Sequence, residues 1–111
     1  MILYNVFMDI IDLQKRSLVI REKYKKLEIK KDGSKWSTEQ LIRGFMKDVN
    51  DLFNLVKSDF DKEKLKHELS DCLWSVLVLA GEFNINIEQS FQENMDKLEK
   101  RIDKELRNYK D

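Results

Sequence analysis

Two pairs of carboxylates at helical spacing mark the stretch from Gly44 to Trp74: Asp48 with Asp51, and Glu68 with Asp71. Residues three apart on an α-helix lie on one face a turn apart, so each pair can aim two oxygen donors at one place. If the two helices pack antiparallel, four carboxylates face one another. An all-oxygen donor set of that charge suits a hard divalent cation, Mg²⁺ or Mn²⁺, whose dehydration needs concentrated negative charge nearby. Taken alone, Asp48 and Asp51 fit solvated helix surface better than a ligand pair. Glu68 and Asp71 stand at the start of a run that is apolar almost all round, where an unpaired carboxylate must take up a proton or find a cation. Lys47, Lys64 and Lys66 are the alternative partners, in simple ion pairs.

The elements that must position these groups follow from apolar periodicity. A long amphipathic helix is expected from about Ile2 to Leu27, with Leu3, Val6, Phe7, Ile10, Ile11, Leu13, Leu18, Ile20, Tyr24 and Leu27 forming a core or dimer stripe. The segment from Glu28 to Lys35 contains Asp32-Gly33-Ser34 and reads as a loop, in which Lys30, Lys31 and Lys35 beside Trp36 could meet an anionic or planar ligand. Ser37 three residues before Gln40 forms a capping box for a helix over 38–57, whose buried side would carry Leu41, Ile42, Phe45, Met46, Val49, Leu52, Phe53 and Val56. Asp59 or Asp61 caps the next helix, 62–83, which should be the most buried of the set. Asn86 is a candidate cap for a last helix over 87–106, with Phe91, Met95, Leu98, Ile102 and Leu106 on one side, grading into a charged tail from Lys100 to Asp111.

Composition narrows the function classes. The chain has 111 residues, enough for one domain, and 21 basic against 21 acidic residues leave no net charge to mark a nucleic-acid or membrane surface. With no proline, three glycines and 38% charged residues, it reads as nearly all helical. The lone Cys72 excludes an internal disulfide and fits a reducing, cytoplasmic compartment. Asp9 and Asp12 near the apolar start, without a basic leader, argue against a signal peptide, and the apolar run near Leu73 to Gly81 is too short to span a bilayer. There is no glycine-rich phosphate loop, CxxC or HExxH, and His67 is the only histidine, so a His-rich metal site and Ser-His-Asp chemistry are set aside.

The DxxD and ExxD pairs on a helix-loop-helix resemble the ExxE and ExxD signature of the MazG-like, all-α nucleoside triphosphate pyrophosphohydrolases. The likeness extends over about Lys35 to Leu98, from Trp36-Ser-Thr-Glu-Gln-Leu through His67-Glu-Leu-Ser-Asp-Cys-Leu-Trp to Phe83-Asn-Ile-Asn-Ile-Glu-Gln-Ser-Phe, and is greatest toward the branch containing the dCTP pyrophosphatases. It implies an all-α bundle of four to five helices, assembled as a homodimer or homotetramer. It also implies Mg²⁺-dependent hydrolysis of a nucleoside triphosphate between the α and β phosphates. Asp48, Asp51, Glu68 and Asp71 would be the catalytic metal ligands, Trp36 and Trp74 would meet the base, and Lys35 the phosphates. The departures are the shorter aspartates of the first pair, Lys47 where many members carry another acid, and Asn94 and Leu98 where a lysine and an asparagine are usual; Lys97 and Arg101 are the nearby basic substitutes. Those departures define the alternative, a homologue that keeps the helical oligomer or nucleotide binding but has weakened turnover. Phosphoribosyl-ATP pyrophosphohydrolase activity, from a neighbouring family, ranks lower.

Overall fold

Four helices make up the described part of the chain, and each begins or ends where the local chemistry says it should. The computed structural model describes residues 8–58 and 61–109, in the order α1 (Ile10–Asp32), α2 (Thr38–Lys57), α3 (Lys62–Glu82) and α4 (Ile87–Asn108). The expected helical positions Leu3, Val6 and Phe7, the candidate cap Asp59 and the last two residues of the tail lie outside the described residues. Among the described residues there is no strand, and no helix is long and apolar enough to cross a membrane.

The Ser37 side chain accepts from Gln40 N at 3.2 Å while Gln40 Oε1 accepts from Ser37 N at 2.8 Å, so the expected capping box closes α2. Asp61 accepts from the Glu63 and Lys64 amides at the start of α3, and Asn86 from the Gln89 amide at the start of α4. One expectation fails at the end of α1. The segment from Glu28 to Asp32 is helix rather than loop, and the connector shortens to 33–37. Glutamate and lysine are good helix formers, and Lys30 and Lys31 in the last turn complement the helix dipole. Gly33, at φ 83°, takes the left-handed cap position and donates its N–H to the Ile29 carbonyl.

α3 is the centre of the fold. It packs most extensively on α2 and next on α1, while α4 leans on α1. Among the described residues the buried apolar side chains, Leu77, Val78 and Ala80, are all on α3. α1 departs from the expected apolar stripe: Leu13, Tyr24 and Leu27 are exposed, and Gln14, Ser17 and Arg21 are buried instead. α1 approaches α3 closely at Gly81, where a Cβ would overlap Leu18 Cδ2. Gly81→Val is expected to lose about 1–3 kcal/mol, the usual cost of overpacking, read as a lower denaturant midpoint. An unchanged midpoint would mean that Leu18 swings aside freely.

α2 also turns differently from the expectation. Ile42, Met46, Val49, Phe53 and Val56 are exposed in the single chain. The stripe partly covered by α3 runs instead through Leu41, Phe45, Asp48, Asp51, Leu52 and Leu55. An amphipathic helix with two apolar stripes can bury only one against one neighbour. The α3 apolar set is likewise incomplete, with Leu69, Leu73 and Phe83 exposed, and the α4 stripe from Phe91 to Leu106 is exposed throughout.

Candidate functional site

The rotation of α2 carries the acidic pairs toward each other. Asp48 and Asp51 lie on the α2 stripe partly covered by α3, and Glu68 and Asp71 are partly covered positions on α3, the helix against which α2 packs most. Ser75 on α3 donates to Asp48 Oδ2 across the interface at 3.1 Å. Lys47 binds Asp51 Oδ2 at 3.0 Å, and His67 Nε2 stands 3.1 Å from Asp71 Oδ2. Among the described residues, Glu68 has no side-chain hydrogen bond or ion pair.

Two neighbours report the shared negative field. The Lys47 ammonium is held above its ordinary pKa by its bond to Asp51 and that carboxylate's charge, with Asp48 and Glu68 adding to the effect. Burial pushes the Cys72 thiol up, and the charges of Asp48, Glu68 and Asp71 push it further. Cys72, half-buried, is therefore a protonated packing residue rather than a thiolate nucleophile. Among the described residues no three His, Cys, Asp or Glu side chains converge closely enough to hold a metal ion. The carboxylates share a face, but Asp48, Asp51 and Asp71 are each drawn to a separate neighbour rather than to one point. The donor chemistry still fits a hard cation, since the four groups supply only anionic oxygens.

Beside this face lies a cleft of about 600 Å³, within the usual range for a small-molecule site. Ile20, Tyr24 and Leu27 of α1 line it with Trp36 of the connector, Leu41 of α2, and Asp71 and Trp74 of α3; Arg21, Glu28, Lys31 and Asp32 add charge to its wall. Tyr24 and Trp74 meet edge to face with centroids 6.1 Å apart. The Trp36 ring leans on the start of α2, since a Cβ on Gly44 would lie 3.7 Å from Trp36 Cζ3. Asp71 thus belongs both to the acidic face and to the aromatic cleft.

Of the residues singled out by sequence, Asp48, Asp51, Glu68 and Asp71 share the α2–α3 junction, and Trp36 and Trp74 share the cleft. Lys35 is exposed in the connector and Lys97 exposed on α4; neither lines the cleft. Sequence reasoning missed Arg21, Tyr24, Glu28 and Ser75. Arg21 carried no signal in sequence: Gln14, Ser17 and Arg21 fall three and four residues apart and read as a solvated helix face, and only the packing of α1 buries them.

A family model described as the MazG nucleotide pyrophosphohydrolase domain matches residues 36–105, which include the four carboxylates and both tryptophans but leave α1 outside. No curated protein and no solved structure matches the chain.

Proposed function

The chain belongs to the MazG nucleotide pyrophosphohydrolase family, and on that premise we propose that it is a Mg²⁺-dependent enzyme cleaving a nucleoside triphosphate between the α and β phosphates. The observation that carries this reading is Asp71, which joins the aromatic cleft to the acidic α2–α3 face. A base seated among Tyr24, Trp36 and Trp74 leaves its phosphates directed to the carboxylates. Asp48, Asp51, Glu68 and Asp71 would hold Mg²⁺, or Mn²⁺, which when bound neutralises phosphate charge and acidifies an attacking water. The water oxygen attacks the α phosphorus, the bond to the bridging oxygen breaks, and pyrophosphate departs. The water's proton would pass to a carboxylate oxygen that the cation leaves free, a task open to the second oxygen of Glu68, whose side chain has no competing partner among the described residues. Within the family we place the chain nearest the dCTP pyrophosphatase-like branch, in the cytoplasm, on the strength of the Trp36 and Glu68-Leu-Ser-Asp71 segments and the single thiol.

The test is pyrophosphate release from a panel of deoxy- and ribonucleoside triphosphates with Mg²⁺ or Mn²⁺. Release from none overturns the enzymatic reading. Lys47, already bound to Asp51, favours the alternative of a weakened homologue; nucleotide binding without release would select it.

We propose further that the working form is a homodimer or homotetramer. The chain exposes 9279 Å², where a compact monomer of 13.4 kDa exposes about 6,500 Å². Its radius of gyration is 18.0 Å, against about 13 Å for a compact domain of similar length. Apolar side chains contribute to the excess: the α2 stripe from Ile42 to Val56 and the α4 stripe from Phe91 to Leu106 both face outward. Sedimentation should give at least twice the chain mass, and Leu98→Glu should shift the population toward monomer. A monomeric parent would refute the assembly.

A further inference from the structure

The cleft wall holding Trp36 has no regular secondary structure of its own, so something must fix it. Trp36 sits in the 33–37 connector and is 42% exposed as a residue. Its backbone N–H donates to Glu28 Oε1 at 2.8 Å, across eight residues of chain. The same carboxylate is gripped by Arg21, two turns earlier on α1, through Nη1 to Oε2 at 2.6 Å and Nη2 to Oε1 at 3.1 Å. The two side chains keep only 4% and 12% of their exposure, so the pair is shielded from water and from screening salt. Arg21, Glu28 and Trp36 all line the cleft, with Tyr24 between the first two on α1. A fork-on-carboxylate bond that also carries a connector amide fixes direction as well as distance.

We propose that Glu28 is a positioning residue of the cleft: anchored by Arg21, its carboxylate holds the Trp36 amide and so sets the spacing between the Trp36 wall and the Tyr24–Trp74 wall. It governs nucleoside binding and leaves the phosphate chemistry to the α2–α3 carboxylates. The inference rests on the nucleotide-binding reading above, and both Arg21 and Glu28 lie outside the span matched by the family model. Burial alone would push the Glu28 carboxyl up, but the bonds from Arg21 and the Trp36 amide and the charges of Arg21 and Lys25 outweigh it and leave the group below its ordinary pKa. The carboxylate is therefore ionised, as the clamp requires, at any pH near neutrality.

The test combines steady-state kinetics with hydrogen exchange at the Trp36 amide, read by NMR, on the full chain. Glu28→Ala should raise KM roughly tenfold with kcat within about twofold, the pattern of lost ground-state and transition-state binding together, and the Trp36 amide should exchange faster. Glu28→Gln keeps an oxygen for the amide but loses the charged pair, so it should fall between parent and Ala; it also serves if the Ala variant fails to fold. Melting curves identify that case. Unchanged KM in a folded variant, unchanged Trp36 exchange, or a kcat loss as large as the KM change overturns the proposal while leaving the enzymatic reading intact. A parent protein that binds no nucleoside triphosphate, measured by tryptophan fluorescence, overturns both.

Discussion

Asp71→Asn is expected to lower pyrophosphate release by about a hundredfold or more, with the fold unchanged. Loss of even an outer-shell partner at a metal site costs about 10–100-fold, and Asp71 is placed here as a direct ligand. The substitution preserves shape and removes only charge, so any loss reports electrostatics rather than packing. Its side chain is 40% exposed and pairs with an exposed His67, so little stability depends on it. Asp71 should also be the most informative of the four because it borders the cleft. On the proposed assignment, Asn at this position would weaken the grip on the cation and change the polarity of the base-side wall, so divalent-metal affinity by calorimetry should fall together with turnover. Glu68→Gln, which does not line the cleft, should lose turnover with nucleotide affinity less affected. Equal release by parent and both variants would sink the site assignment; loss of release with unchanged metal affinity would make the carboxylates proton acceptors rather than ligands.

The parts of this arrangement that were legible in sequence are those set by local chemistry. Ser37 and Gln40 announce the start of α2 because both halves of a capping box lie within four residues. The apolar run after Asp71 announces a buried α3, and its Leu77, Val78 and Ala80 form the core. What was not legible depends on partners far away in the chain. Glu28 to Asp32 looked like loop because Gly33 was close by, yet Glu28 is held in helix by Arg21 two turns earlier. The direction α2 faces was misread for a physical reason. It has two adjacent apolar stripes, one through Leu41, Phe45, Leu52 and Leu55 with the aspartates on it and one through Ile42, Met46, Val49, Phe53 and Val56, and sequence counts hydrophobic residues without saying which stripe meets α3. The consequence matters for function, since the stripe that does meet α3 is the one carrying the aspartates. The cleft was half visible: its tryptophans could be named, but Tyr24 and Glu28 enter only through the packing of α1 on α3.

Gln14→Ala is expected to destabilise the chain by about 2–4 kcal/mol. Gln14 is 3% exposed, an unusual place for an amide. It works as a two-way clamp. Its Nε2 donates to the Ile85 carbonyl at 2.9 Å, and its Oε1 accepts from the Ile87 amide at 3.2 Å. The Ile85 carbonyl belongs to the turn between α3 and α4, where Asn84 already sits at φ 55°, and the Ile87 amide is the first of α4, which Asn86 caps. Truncation leaves a donor and an acceptor without partners, each costing about 1–3 kcal/mol where water cannot follow. Water entering the space left by the side chain recovers part of that, which keeps the expected total below the full sum. The measurement is a denaturant midpoint at one fixed protein concentration, because association of copies would otherwise shift the apparent stability. Lys15→Ala, one residue along and exposed, is the control and should stay within about 0.5 kcal/mol of the parent. If the two variants melt together, the turn is held by its own caps and α4 needs no anchor on α1. If Gln14→Ala also loosens the oligomer, the clamp sets the direction of α4, and with it the outward apolar stripe through which copies would meet.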